Sequence, residues 1–186
     1  MRPINKYLST KIKVSDIVAD DSNIKRIVRS EIDRLGVEAD LNHIDVSGVT
    51  KLDYLFDAYG HFSFDKNEQN NFAQFNGDIS KWITENVISM NATFRYCKKF
   101  NCDISEWIVG NVVSMDRTFC ACESFNQDIS KWDVGNVKNM EAMFIDCRSF
   151  DQDLSRWNVK NVKCCDHMFD NCEKMKFSNL PQLKYT

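Results

Sequence analysis

The chain has 186 residues, of which 43% are hydrophobic and 27% are charged, and its net charge is -3. This length fits one domain, and this composition excludes a wholly disordered protein. Positive and negative side chains are interspersed, so we expect no nucleic-acid partner and no membrane partner. No stretch reaches the ~18 apolar residues of a membrane helix. The first residues also lack the apolar core of a secretory signal. We therefore expect a cytoplasmic protein, with surface display only if a leader was removed.

Residues 1–40 are predicted to form an N-terminal capping segment. Residues 1–20 are mixed and favour a short strand or turn. A helix is predicted over about 22–35, with Ser22 or Asn23 as the N-cap and Gly36 as a left-handed stop. Its apolar residues recur at helical spacing on one face. They are Ile24, Ile27, Val28, Ile32 and Leu35.

Four copies of one phrase follow, each 25 residues after the last, and they begin at Phe75, Phe100, Phe125 and Phe150. Each copy reads Phe-(Asn/Asp)-x-Asp-(Ile/Leu)-Ser-x-Trp, and later carries a second Phe and a Cys. A fixed period of this size is typical of a solenoid, in which each repeat buries its apolar side against the next. An earlier, divergent copy aligns Phe56 with the later phenylalanines, which requires a 13-residue insertion within about 57–74.

The pattern inside a repeat predicts the path of one coil. Phe125, Gln127 and Ile129 alternate as in a strand. Val137, Met140 and Phe144 have spacing that suits a single helical or 3-10 turn. We therefore predict an α/β repeat: a leucine-rich-repeat-like, right-handed solenoid with one parallel β-sheet face and short helical or 3-10 turns on the other. The solenoid would have about five coils over 41–177, with an N-terminal helical cap and a C-terminal cap or tail at 178–186.

The stretch 125–147 closely resembles the 25-residue bacterial surface-protein repeat of the BspA-like leucine-rich-repeat family. The resemblance covers roughly 41–177. It implies a leucine-rich-repeat solenoid that binds other macromolecules. Members are often displayed at cell surfaces through a leader. The sequence shows no leader, so an intracellular, secreted-effector or mobile-element-encoded role is open.

Two polar columns recur in every clear copy. The aspartates could bind calcium, but an Asx-turn with the serine two residues later explains them better, because calcium needs about six to eight oxygen ligands. These aspartates are Asp78, Asp103, Asp128 and Asp153. The second column is expected to form an amide ladder at a turn rather than a recognition row. It consists of Asn86, Asn111, Asn136 and Asn161.

Tryptophan and cysteine columns also keep the period. The tryptophans could stack on bases or sugars, but they share parity with inward valines, which favours the core. They are Trp82, Trp107, Trp132 and Trp157. The cysteines are expected to be buried thiols rather than disulfides or zinc ligands. They are Cys97, Cys122, Cys147 and Cys172.

The positions that vary between repeats are the candidate binding residues. One column consists of Lys81, Glu106, Lys131 and Arg156. Another holds Ile83 and Ile108, which form an apolar spot if they point outward, although an inward orientation fits the pattern as well. The insertion offers Tyr59, His61, Phe62 and Phe64, either as binding anchors or as a cover for the first coil.

Enzyme signatures are missing from the sequence, so no catalytic residue, cofactor or metal is predicted. We predict a monomeric, non-enzymatic protein-binding module that uses the sheet surface of the solenoid and the 57–74 loop. The alternative is a phage- or mobile-element-encoded inhibitor of a host defence, acting by protein blocking or by sequestering a nucleotide or small molecule. A third possibility is a structural repeat stabilised by ions.

Overall fold

The computed structural model describes residues 17–59 and 71–183. Its first elements are strand β1 (Ile17–Val18), helix α1 (Ile24–Leu35) and strand β2 (Ile44–Asp45). Two 3-10 helices follow, at Asn71–Gln74 and Phe177–Asn179. The two strands pair in parallel, with Ile17 opposite Ile44. No helix within 17–59 and 71–183 is long and apolar enough to cross a bilayer.

Helix α1 lies within the stretch whose periodicity predicts a helix. Its apolar stripe is buried except for Leu35, which is 44% exposed. Neither Ser22 nor Asn23 caps the helix with its side chain. The Asn23 side chain instead accepts a hydrogen bond from the Asp20 amide. The helix ends at Leu35, and the next residue, Gly36, has a φ of 93°, which lies in the positive region that glycine tolerates.

The predicted leucine-rich-repeat-like α/β solenoid is wrong. The only sheet in the described part of the chain has two strands of two residues each. The parallel sheet face is absent there, and the repeats are joined by isolated bridges such as Ser114 to Asn139. The predicted strand at 125–129 is irregular. The predicted helical turn at 137–144 is extended around the bridge residue Asn139 and then forms non-helical turns over 141–144. The repeat segments nevertheless lie against one another in sequence order, and we call residues 37–58 and 75–172 the repeat array.

Backbone torsion angles explain why no strand forms along residues 90–96 and their equivalents in the later repeats. Two non-glycine residues in each clear repeat have φ near +60°, for example Ala92 at 51° and Tyr96 at 63°. An extended strand needs φ near -120°, so these residues interrupt it. Between them run turns in which the Thr93 amide donates to the Met90 carbonyl and the Arg95 amide donates to the Ala92 carbonyl.

These turns align the peptide groups along the array. The amides of Met90, Ala92, Phe94 and Tyr96 donate to carbonyls of the next repeat at distances of 2.7–3.0 Å. The same four bonds recur at every junction from residues 52–58 to residues 140–146. All of these amides point toward the C-terminal end. We call this row of hydrogen bonds the donor seam.

Aromatic rings fill the interior of the repeat array. Phe119 is fully buried, and its ring centroid lies 5.6 Å from Phe94, 5.6 Å from Phe144 and 4.2 Å from Phe125. The rings of these pairs are nearly parallel, with interplanar angles of 6–10°. Large buried rings supply much apolar area and favourable pair geometry, so this file of phenylalanines is the core of the array.

Candidate functional site

The column of variable charges is exposed in every repeat. Lys81, Glu106, Lys131 and Arg156 all face solvent. Their signs alternate between the first three repeats, so they do not form a patch of one charge. This column therefore does not by itself form a binding surface.

The apolar pair Ile83 and Ile108 points outward, with 54% and 53% of each residue exposed. Two further aliphatic residues of the same repeats, Ile88 and Val113, are 42% and 41% exposed. Scattered exposed aliphatic residues are normal, but a contiguous group is not. We call these four residues the aliphatic patch.

Tight turns hold the aliphatic patch together. In the first repeat the Val87 amide donates to the Thr84 carbonyl at 3.0 Å, so Ile83 and Ile88 flank one turn. Val109 and Val112 make the same turn between Ile108 and Val113 at 2.9 Å. Each pair is therefore presented at a corner of its repeat.

Thr84 joins the two repeats beneath the aliphatic patch. Its side chain is 2% exposed and occupies the place that valine takes in the next three repeats. The Thr84 hydroxyl accepts a hydrogen bond from the Ile108 amide at 2.9 Å and lies 3.1 Å from the Ile108 carbonyl oxygen. This pair of contacts fixes the spacing between Ile83 and Ile108.

A shallow groove of about 260 Å³ adjoins the aliphatic patch. Ile83 and Lys81 line one side, and Asp45 and Ser47 line the other. The Asp45 carboxylate accepts a hydrogen bond from the Ser47 amide, and hydrogen bonding to Ser47 lowers the pKa of Asp45. Two predicted site residues thus meet at this groove, with a cation on one side and an anion on the other.

Most of the predicted loop site lies outside the described residues, namely His61, Phe62 and Phe64. Tyr59 is described and is 49% exposed. Its ring lies 4.8 Å from that of Tyr96, and the Arg95 guanidinium lies 4.8 Å from its centroid. Arg95 in turn pairs with Asp57 at 2.6 Å. Tyr59 is therefore held by the repeat array and lies apart from the residues that line the groove.

The aspartate column forms the Asx-turns that the sequence favours. Each carboxylate accepts a hydrogen bond from the amide of the serine two residues later, at 2.9–3.0 Å. Hydrogen bonding to Ser130 lowers the pKa of Asp128, and hydrogen bonding to Ser155 lowers the pKa of Asp153. These bonds shape a turn in every repeat and confirm the structural interpretation of the column.

The side chains of the asparagine and tryptophan columns donate hydrogen bonds to the preceding repeat segment. Each asparagine side-chain amide in its column donates to a backbone carbonyl of the preceding segment, for example Asn136 to Gly110 at 2.7 Å. These amides therefore do not bond one another as a ladder.

Each tryptophan is 3–5% exposed, and its indole nitrogen donates to a backbone carbonyl of the preceding segment, as Trp132 does to Ile104 at 3.2 Å. The prediction that the tryptophans lie in the core is confirmed.

The cysteine column is internal. Cys97, Cys122 and Cys147 are fully buried, and each thiol sulfur lies 2.9 Å from a phenylalanine carbonyl oxygen of the preceding segment. Burial raises the pKa of each of these thiols, and it raises the pKa of the partly buried Cys172 to about 12. Cys97, Cys122 and Cys147 are therefore buried thiols, as the sequence predicts, whereas Cys172 at the end of the column is only partly buried.

Residues 63–181, more than half of the chain, match the family model described as a Mycoplasma protein of unknown function, DUF285. The chain belongs to the DUF285 family. The comparison with curated proteins gave no match, and neither did the comparison with solved structures. Membership in DUF285 assigns the chain to a family without assigning it a ligand.

Within the DUF285 match, the repeats differ in one systematic way. The column of Ile83 changes from Ile, Ile to Asp, Asn along the four repeats, and the column of Ile88 changes from Ile, Val to Lys, Lys. The column of Ile83 was predicted from the sequence as a candidate binding column, whereas Ile88 and Val113 were not. The sequence does carry a signal for Ile88 and Val113, because their column becomes polar after the second repeat, as the column of Ile83 does.

Proposed function

We propose that this protein is a non-enzymatic protein-binding module whose partner docks on the aliphatic patch. The observation that carries the proposal is the exposure of Ile83, Ile88, Ile108 and Val113 at 41–54% on two adjacent repeats. The next two repeats keep the same framework but carry Asp or Asn and Lys at the equivalent positions. Packing within the array therefore does not require aliphatic residues there.

The chemistry of the patch favours a protein partner. Aliphatic side chains give affinity by losing contact with water and offer no hydrogen-bonding groups for a sugar or nucleotide. Lys81 and Glu106, on the same two repeats, supply charges of both signs, as the polar rim of a protein interface does. The resemblance of the repeat to bacterial surface-protein repeats agrees with a binding role. The 57–74 loop remains a predicted second contact.

We also place the module in the cytoplasm. The packing of Cys97, Cys122 and Cys147 uses the reduced thiol, whose sulfur rests on a carbonyl oxygen of the preceding segment. A reducing compartment keeps thiols in that form.

The test is an affinity capture from the native host that compares two double variants. Ile83→Lys with Ile108→Lys places two charges on the patch. Asp133→Lys with Asn158→Lys places the same charges at the equivalent positions of the next repeats and is the matched control. The changes at Ile83, Ile108 and Asn158 are on the surface and should alter stability by no more than about 0.5 kcal/mol per residue. Asp133→Lys also removes the acceptor of the hydrogen bond from the Gly135 amide and should cost about 0.5–1.5 kcal/mol.

We expect a partner that the wild type and the control variant retain and that the patch variant loses. Mass spectrometry identifies the retained protein, and thermal unfolding verifies that both variants are folded. Equal retention by the patch variant would place the binding surface elsewhere. Failure of the wild type to enrich any protein over the patch variant would reject the proposal.

A further inference from the structure

The corner of the repeats that carries the aliphatic patch becomes strongly basic in the last two clear repeats. Residues 81–88 and 106–113 hold one cation and two carboxylates, whereas the equivalent residues 131–138 and 156–163 hold five cations and one carboxylate. The chain as a whole has a net charge of -3, so this corner concentrates positive charge on an acidic protein. All five cations are exposed, and they are Lys131, Lys138, Arg156, Lys160 and Lys163.

Backbone hydrogen bonds show that the basic residues continue the aliphatic patch directly. The Val113 amide donates to the Ile88 carbonyl at 2.9 Å, and the Lys138 amide donates to the Val113 carbonyl at the same distance. The Lys163 amide then donates to the Lys138 carbonyl at 2.8 Å. These four residues therefore lie side by side on successive repeats, with two aliphatic side chains followed by two cationic ones.

The five cations divide into two groups by their surroundings. Lys131 and Arg156 lie near aspartates of the Asx-turns. The pKa of Asp128 and the pKa of Asp153 are lowered mainly by hydrogen bonds to serine and to a smaller extent by these two cations. The other three form no ion pair with any carboxylate in the described part of the chain. We call these three residues, Lys138, Lys160 and Lys163, the cationic patch.

The carboxylates next to the cationic patch in the sequence leave it unpaired. Asp133 and Lys138 flank the turn in which the amide of residue 137 donates to the carbonyl of residue 134. The Asp133 carboxylate accepts the Gly135 amide at 3.0 Å, and no ion pair joins it to Lys138. Asp166 is exposed three residues after Lys163 and also forms no ion pair with it. The charge of the cationic patch is therefore available to a ligand.

The fold does not require the adjacent lysines. Ile88 and Val113 occupy the same column and make the same backbone hydrogen bonds, so the framework accepts uncharged side chains there. Like charges opposite one another on neighbouring segments destabilise a protein. A ligand with negative charge at this place relieves that repulsion and gains attraction to the lysines.

We propose that the partner of this surface is an acidic segment of another protein. Its apolar side chains cover the aliphatic patch, and its carboxylates pair with the cationic patch. This inference rests on the proposed function, because it gives the chemistry of the partner that docks there. Protein interfaces combine an apolar centre with a polar rim, and complementary charges across the rim select the partner and accelerate association.

A nucleic acid or an anionic membrane fits the same surface less well. The only aromatic residues of the four corner stretches are buried tryptophans, so no ring is available to stack on bases. Glu85 and Glu106 are exposed on the two repeats of the aliphatic patch. A phosphate backbone or a charged bilayer brings negative charge to these carboxylates as well as to the lysines. A protein segment can place its carboxylates over the cationic patch alone.

The probes are two synthetic peptides. In one, alternating leucine and serine are followed by alternating glutamate and serine, and in the other the two halves are exchanged, so that both chain directions are tested. Control peptides carry glutamine in place of glutamate. The full chain is labelled with ¹⁵N and titrated with each peptide. We expect an acidic peptide to shift the amide resonances of Ile88, Val113, Lys138 and Lys163. It should bind at least about fivefold more tightly than its glutamine control in ~0.05 M salt, and this difference should shrink in ~0.5 M salt.

The variant Lys138→Glu with Lys163→Glu reverses two charges of the cationic patch. It should weaken binding of the acidic peptide at least about tenfold and leave binding of the glutamine peptide unchanged. The matched control is Lys99→Glu with Lys174→Glu, which makes the same charge change at exposed residues eleven positions further along the repeats. It should alter binding of the acidic peptide by less than about twofold, because charges at that distance are screened by salt. Thermal unfolding verifies that both variants are folded.

A third variant, Ile83→Asn with Ile108→Asn, should weaken binding of the acidic and the glutamine peptides alike. If it binds the acidic peptide as the wild type does, the proposed function is rejected and this inference with it. If the variant of Lys138 and Lys163 does so instead, only the acidic partner is rejected. Failure of both acidic peptides to bind the wild type would also overturn the inference. So would tighter binding of phosphatidylserine vesicles or of a single-stranded DNA oligomer that is lost with Lys138→Glu and Lys163→Glu.

Discussion

Replacing Phe119 with alanine is the most direct test of the aromatic core. Phe119 is fully buried and has four aromatic neighbours, since Trp132 lies 6.1 Å away in addition to Phe94, Phe125 and Phe144. Truncation leaves a cavity between two repeats that their backbone bonds prevent from closing. A buried phenylalanine changed to alanine typically costs about 3–5 kcal/mol. We expect the upper half of that range, because ring pairs contribute about 0.5–1.5 kcal/mol beyond their buried area.

Phe169→Ala is the matched comparison at the end of the same column. Among residues 17–59 and 71–183, Phe169 has one aromatic neighbour, Phe144, and it is partly exposed. We expect its truncation to cost about 1–2 kcal/mol, which is part of the value for a fully buried side chain.

The stability of both variants is measured by urea unfolding, with tryptophan fluorescence and circular dichroism as the two probes of the transition. Coincident transitions with the two probes establish two-state behaviour, and linear extrapolation then gives the free energy of unfolding. Equal losses at positions 119 and 169 would refute the reasoning. A loss below about 1 kcal/mol at position 119 would do so as well, since such a value is typical of an average substitution and not of a core aromatic.

Two further predictions concern polar groups. Trp132→Phe keeps an aromatic ring but removes the indole donor to the Ile104 carbonyl, which still accepts a hydrogen bond from the Trp107 amide at 3.1 Å. We therefore expect a loss of about 0.5–1.5 kcal/mol in urea unfolding, and a loss near zero would show that the bond is dispensable. Asp128 has a lowered pKa in the folded state, so its stabilisation is complete above the unfolded pKa and disappears as the pH falls through the folded value. Asp128→Asn keeps an oxygen for the Ser130 amide and removes the titration, so its free energy of unfolding should fall less between neutral and acidic pH than that of the wild type. An identical pH dependence would contradict this assignment.

The periodicity of the sequence determined which residues lie inside the repeat array. Trp132, Phe144 and Cys147 were predicted to be buried, and they are. Stacked repeats need the same apolar residue at the same place in each segment, so a fixed spacing of large side chains identifies the core. The Asx-turn at Asp128 and Ser130 was recognisable for a similar reason, because its hydrogen bond joins residues two apart in the chain.

The tertiary structure alone decided the backbone path and the exposure of the candidate sites. Ala92, Tyr96 and Arg117 adopt positive φ, although the residues that usually signal it are glycine and asparagine. Their torsion angles are set by hydrogen bonds to the next repeat, which lie about one period away in the chain and leave no local signal. The alternation that predicted a strand at 125–129 instead lies in an irregular segment that has no residue with positive φ. The orientation of Ile83 was ambiguous for the same reason, since the turn from Thr84 to Val87 and the bonds from Thr84 to Ile108 determine which side faces water.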